Sequence, residues 1–254
     1  MPKFFVEPEQ IAGDFCRIEG ADVPHIRGAL RMAVGDAIDL SAGDGDLCRG
    51  RIEQIEKDVI TVRILEKIPG MAELPVRITL YQGLPKKDKL EWITQKAVEL
   101  GASEIVPVLM DRSVAKPGDE KKENRKNERL SLIAREAAVQ SGRDLIPAVL
   151  PVMSFKEAVL RAESEPDALC LIPYEDCDAE TMQETRDLLF SGTARQISIF
   201  IGPEGGIAPE ELEYAKEHGI RPISLGGRIL RTETAAIAVL SVLSIAYDHL
   251  PDRK

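Results

Sequence analysis

This 254-residue chain has only four cysteines and three histidines. Cys16, Cys48, Cys170 and Cys177 form no CxxC pair, and His25, His218 and His249 do not stand at metal-ligand spacing with them, so no metal is expected. The thiols read instead as buried side chains of a protein in a reducing compartment. No serine, histidine and acid arrangement suggests a hydrolase. The N-terminus, Met-Pro-Lys-Phe-Phe-Val-Glu-Pro-Glu, carries no extended apolar stretch of the signal-peptide kind. The longest nearly apolar run, Ala235–Tyr247, is too short to span a bilayer. The expectation is a cytoplasmic protein with no membrane segment. There is no internal repeat and no low-complexity tract.

What is present is an ordinary globular composition, 44% hydrophobic, with a formal charge of −10. An acidic chain disfavours indiscriminate nucleic-acid binding. The charge is uneven, however. Residues 1–75 hold 9 basic and 14 acidic side chains, residues 76–150 hold 14 and 11, and residues 151–254 hold 10 and 18. A polyanion therefore favours the middle third. Arg112, Lys116, Lys121, Lys122, Arg125, Lys126, Arg129, Arg135 and Arg143 all lie there. Such a run is either a solvated face or a phosphate-contact surface. His25, Arg27 and Arg31 are a second, smaller group of this kind.

The first seventy residues predict short strands at Ala37–Leu40, Leu47–Ile55 and Val59–Leu65, with a short helix at Pro24–Leu30. This pattern suggests a small β-barrel domain over residues 1–72. Ile68–Pro75, with two prolines and a glycine, reads as a linker. From residue 73 the rhythm becomes strand–helix. Strands are predicted at Val76–Tyr81, Glu104–Met110, Ala168–Ile172, Ile197–Ile201 and Pro222–Leu225. Helices are predicted at Asp88–Leu100, Asn127–Gln140, Ala179–Leu189, from Pro209 to near Gly219, and at Thr232–Leu250. Asp88 and Glu91 give an N-cap signal, and Ser154–Glu157 resembles a capping box ahead of a further helix. Trp92 reads as a core residue. Alternation of this kind implies a largely parallel sheet covered on both faces, whose ligands bind outside the carboxyl ends of its strands.

Two glycine-rich loops fall at such ends. Gly202-Pro203-Glu204-Gly205-Gly206 is neither a Walker A nor a GxGxxG sequence, so phosphate-loop and dinucleotide readings lose support. It is either a tight strand-to-helix turn or a loop that reads a ligand through bare main-chain groups. Leu225-Gly-Gly-Arg-Ile-Leu-Arg-Thr-Glu-Thr-Ala235 packs two glycines, two arginines and a carboxylate between apolar elements. Arg228 and Arg231 are either a surface pair or site cations, and Glu233 and Thr234 also have a plain role at a helix N-terminus. The helix beyond is apolar on almost every face, so either the domain encloses it or a second copy of the chain does.

Ile201–Gly206 and Leu225–Ala235, with Gln95–Gly101, Glu136–Arg143 and Pro147, resemble the signature segments of the SPOUT-class RNA methyltransferases. More closely, the chain resembles the bacterial family that methylates N3 of a uridine in 16S ribosomal RNA. His25–Arg31 with Gly35-Asp36 resembles that family's PUA-like N-terminal domain, although Lys3 stands where the pattern has an arginine. The resemblance implies an α/β domain over residues 73–254 with a C-terminal trefoil knot. It also implies S-adenosyl-L-methionine as cofactor, a homodimer, and 16S ribosomal RNA or the small ribosomal subunit as partner. The cofactor loops are then Leu171, Ile172 and Pro173; Ile201, Gly202, Pro203, Glu204, Gly205 and Gly206; and Leu225, Gly226, Ile229 and Leu230 with Thr234 and Ala235. RNA contacts fall to His25, Arg27, Arg31, Lys86, Arg112, Gln140, Arg143 and Arg228. Arg231 is the first choice to stabilise charge on the base, and Glu204 or Glu233 either accepts a proton or holds the arginine. Two other readings stay open: methylation at another RNA position, and a silent RNA-binding assembly protein.

Overall fold

The computed structural model describes residues 1–175 and 179–248; Cys177 and His249 lie outside them. The chain forms two compact units. One comprises Met1–Glu73 with Ala138–Ile146, the other Leu74–Ala137 with Pro147–Lys254.

The first unit is a six-stranded sheet with the order β1 (Lys3–Phe5), β4 (Ala37–Ser41), β5 (Asp46–Ile55), β6 (Val59–Pro69), β3 (Phe15–Glu19), β2 (Ile11–Ala12). It curls as an open half-barrel. Alternating residues of the long β5–β6 hairpin, Ile52, Ile60 and Val62 among them, point inward onto Ile18, Ile38 and Leu40. Helix α1 (Asp22–Pro24) runs into a π-helical turn at His25–Ala29, which buries Ile26 in the same core. β6 continues through Pro69, so the start of the expected linker is strand.

The segment Ala138–Ile146 joins this unit because the unit satisfies its backbone. Lys3 Nζ donates to the carbonyls of Gly142 and Arg143 at 2.6 Å and pairs with Asp144. The Glu73 carboxylate accepts from the backbone N–H groups of Asp144 and Leu145 at 2.9 and 3.0 Å. A loop whose polar groups are taken up in this way is fixed to its partner.

The second unit is built on an all-parallel sheet. Its strands are β7 (Arg77–Gly83), β8 (Glu104–Leu109), β9 (Ala148–Val149), β10 (Met153–Ser154), β11 (Leu169–Pro173), β12 (Gln196–Ile201) and β13 (Arg221–Ile223). The order is β10-β8-β7-β12-β11-β13, with β9 also on β8. Its helices are α2 (Lys89–Glu99), α3 (Glu120–Ser141, its last turn in the first unit), α4 (Phe155–Glu163), α5 (Ala179–Leu189), α6 (Pro209–Glu217) and α7 (Thr232–Tyr247). On one face, Tyr81 of β7 stacks on Phe200 of β12 with ring centroids 4.3 Å apart, and both pack with residues of α4 and α6. Residues of the alternate register, Leu80, Leu171 and Ile199, are also fully buried, as a sheet covered on both faces requires.

Local signals held in part. Ser154 caps α4 as expected, its hydroxyl accepting from Glu157 N–H while the Glu157 carboxylate accepts from Ser154 N–H. Asp88 precedes α2 but makes no cap bond, because its backbone (φ −87°, ψ 10°) is not the extended form that turns a cap side chain over the first turn. Glu91 pairs instead with Arg129 at 2.7 Å. Helix α3 begins seven residues before Asn127, on a polar stretch without apolar period, where the Asp119 carboxylate accepts from Lys122 N–H. Trp92 is 46% exposed, contrary to the core expectation; Ile93, Ala97 and Val98 face inward and Trp92 lies a step around the helix.

Candidate active site

Because all strand pairs in the second unit are parallel, the loops after β7, β11, β12 and β13 emerge at one edge of the sheet. Loop Gly202–Gly206 and the start of α7 meet there. The Thr232 hydroxyl donates to the Gly202 carbonyl at 2.7 Å, and Gln82 Nε2 donates to Thr232 Oγ1 at 2.8 Å and to the Gly83 carbonyl at 3.0 Å. Gln82 is fully buried, so this chain of bonds sits where water does not compete.

Glycine is required at two points of this meeting. A Cβ on Gly83 would lie 2.7 Å from Pro203, and one on Gly205 would lie 2.8 Å from Arg112 Cβ. The β12 loop therefore lies directly on β7 and on the Arg112 backbone, and the Arg112 guanidinium donates to the Gly205 carbonyl at 3.2 Å.

Lys89, at the start of α2, joins the two signature segments. Its ammonium is 3.1 Å from Glu204 and 3.0 Å from Glu233. Hydrogen bonds to Glu233 and Glu204 raise its pKa. Burial would raise Glu204, but the Lys86 and Glu204 backbone N–H groups and Lys89 outweigh it and hold the carboxyl below its ordinary value. Glu233 behaves alike: burial pulls upward, its own N–H, Lys89 and the Arg231 charge pull further downward. Both carboxylates are thus held as anions, and lowered pKa values make them poor proton acceptors at neutral pH. Their ion-pair partner is Lys89, not the expected arginine.

Beside this network, Pro173, Leu225, Gly226, Ile229, Leu230 and Ala235 line an open lobe of about 90 Å³, with Arg228 at its rim. Ile229 is 90% exposed. Leu171, Ile172 and Ile201 are buried within their strands, so only their backbone can serve a ligand. Arg231 is exposed, its carbonyl accepting from Ala235 N–H, and Thr234 is exposed on the first turn of α7.

Of the expected RNA contacts, Lys86 and Arg112 flank the β12 loop and are exposed. His25, Arg27 and Arg31 are exposed in the first unit, as is Gln140. Arg143 is corrected: it is 4% exposed, and its guanidinium is bonded to Glu73, so it organises the first unit rather than offering a charge to solvent. Sequence reading missed Lys89, Gln82 and Thr232. Lys89 closes the basic run Lys86-Lys87-Asp88-Lys89 after a strand end, a signal that could have drawn attention to it. Among the described residues, no group of three or more histidine, cysteine, aspartate or glutamate side chains is placed to hold a metal.

A parallel sheet with a braced glycine loop and a helix start at its carboxyl edge, in a chain with a separate small β unit, makes a two-unit α/β protein of the class that binds ligands at that edge. Residues 72–244 match the RNA methyltransferase domain family and residues 18–65 the RNA methyltransferase PUA domain family. The chain belongs to the RNA methyltransferase family. It is 37% identical over 250 residues to the Ribosomal RNA small subunit methyltransferase E of Bacillus subtilis, covering 96% of each chain. The crystal structure of the protein of that name from Neisseria gonorrhoeae, bound to S-adenosyl methionine, superposes with a TM-score of 0.79 at 28% identity, covering 97% of this chain and 98% of the other. A Legionella pneumophila methyltransferase solved with the cofactor SAM gives 0.77 at 31% identity, covering 96% and 97%.

Proposed function

We propose that this protein uses S-adenosylmethionine to methylate N3 of a specific uridine in 16S ribosomal RNA, in the cytoplasm and as a homodimer. The observation that carries the reading is the meeting of Gly202–Gly206 and the start of α7 at the carboxyl edge of the sheet, pinned by Thr232 and bridged by Lys89. The residues fit the cofactor: Pro173, Leu225, Ile229 and Leu230 offer an apolar shelf for a purine, with Gly226 among them. The lobe of about 90 Å³ takes only part of such a molecule, and the exposed Ile229 supplies apolar surface for the rest to cover. Crossing of the α7 start over the β12 loop is the place where a trefoil knot closes in this reading.

Bound there, S-adenosylmethionine supplies an electrophilic methyl group on a sulfonium. The chain must position the base and stabilise it as N3 loses its proton to solvent, when charge spreads onto O2 and O4. Arg231, exposed between Leu230 of the lobe and the start of α7, is the cation for those oxygens, with Lys89 pairing Glu233 on the first turn. A single chain buries only one side of α7: Ala236, Val239, Leu240, Leu243 and Tyr247 are covered while Ile245 is 76% exposed. A second copy covers the rest. The first unit and the exposed cations Lys86, Arg112 and Arg228 hold the RNA.

The test is nucleoside mass mapping of ribosomal RNA from a strain lacking the protein. Loss of one N3-methyluridine from 16S RNA, restored by the wild-type gene, is the expected result. Survival of every uridine methyl mark overturns the assignment.

A further inference from the structure

Next to the Lys86–Glu204 contact, the second unit contains a separate cavity of about 460 Å³. It lies between the β7–α2 loop, the β8–α3 loop, α3 and the approach to β10. Leu84, Pro107, Leu130 and Val152 give it apolar walls, and Lys87, Lys116, Lys126 and Arg129 stand around it. Its volume is within the range of small-molecule sites, and apolar walls with a few polar groups are their usual composition.

Three features point to what it takes. Asn127 lines the cavity, and its side-chain oxygen is out of solvent without a hydrogen-bond partner. That oxygen is closed off from the cavity as it stands, so a ligand donor recovers its unmet bond by turning the amide toward the cavity. Lys87 holds a left-handed backbone (φ 57°), strained for a lysine, in the loop that also presents Lys86 N–H to Glu204. The surrounding charges are also asymmetric in their availability. Lys126 is taken up by Glu123 and Arg129 by Glu91, whereas among the described residues Lys87 and Lys116 make no ion pair; Asp88 is the remaining carboxylate there.

We propose that this cavity is a pocket for an unpaired RNA base flanking the modified one. The Asn127 amide, which has both donor and acceptor, reads the polar edge of the base, and Lys87 and Lys116 contact the neighbouring phosphates. Single-stranded RNA is recognised in this manner, by bases splayed into pockets with cations along the backbone. The proposal rests on the RNA methyltransferase reading and adds a second point of grip beside the cofactor cleft, which fixes the register of the strand.

The experiment measures binding of a fluorescein-labelled single-stranded oligoribonucleotide, and of its abasic counterpart, by anisotropy. The full-length wild type is compared with Asn127→Ala and with Ala115→Trp, which fills the cavity from an adjoining loop position. Thermal melting confirms that each variant is folded, and Ala115→Trp decides if Asn127→Ala does not fold. Roughly tenfold weaker binding of the base-containing oligonucleotide by each folded variant, on the scale of losing one well-placed base contact, supports the pocket. Wild-type binding of the abasic strand as tight as of the intact one reduces the site to phosphate contacts and overturns it. So does wild-type affinity in the folded variants. Transfer of labelled methyl from S-adenosylmethionine to ribosomal RNA by the wild type is followed in parallel. Transfer with unaffected binding in the variants defeats the pocket alone. Absence of transfer defeats the enzymatic reading, and the binding series still judges the pocket.

Discussion

Thr232 donates its hydroxyl proton to the carbonyl of Gly202 across 2.7 Å, joining residues 30 apart in the chain. This bond ties the first turn of α7 to the exit of β12, and it brings one signature segment onto the other. Replacing Thr232 by valine keeps the shape and removes the bond, leaving the Gly202 carbonyl and one hydrogen of the Gln82 amide without their partner. The expected cost is roughly 1–3 kcal/mol in urea denaturation, with weaker S-adenosylmethionine binding in calorimetry. A variant as stable as the wild type means the bond is incidental.

Lys89 bridges Glu204 and Glu233, whose pKa values are held below their ordinary 4.5. A carboxyl group depressed in the folded state stabilises it above the unfolded pKa, and that contribution is lost as pH falls through the folded value. Lys89→Ala should therefore lower the melting temperature at neutral pH. The gap between variant and wild type should narrow as pH falls below about 4.5. A gap independent of pH would point to lost packing by the lysine stem instead.

Gly83 leaves no room for a methyl group against Pro203. Gly83→Ala forces β7 and the β12 loop apart, with an expected loss of roughly 1–3 kcal/mol, the usual scale of overpacking. Calorimetric titration should show the cofactor affinity falling with it. Unimpaired stability and affinity together would show that the loop relaxes freely.

Arg231→Ala tests the proposed chemistry. Arg231 is exposed and its backbone, not its side chain, starts α7, so the fold should persist. Cofactor affinity is expected to stay within a few-fold while turnover drops by roughly 100-fold, the scale of losing one charge-stabilising donor. Undiminished turnover would remove Arg231 from the reaction.

Apolar periodicity and turn chemistry placed most of the long elements within a few residues. α5 begins and ends where expected, and β12 differs by one residue. The polar start of α3 escaped because charge pairing, not an apolar stripe, sustains it. Strand β1 and the two-residue strands carry too few residues for a period to show.

The two glycine loops and their arginines were visible in the sequence because unusual residue types cluster there over a dozen positions. Local sequence also determined the class of sheet, since strand–helix alternation admits few arrangements. Only the tertiary structure decided that Lys89, Gln82 and Thr232 join those loops, that Arg143 is spent on Glu73, and that residues 138–146 return to the first unit. These partners stand 30 to 150 positions apart, and a contact of that separation leaves no periodic trace along the chain. It exists only once parallel strands have brought their ends to a common edge, or a distant loop has found backbone groups to satisfy its own.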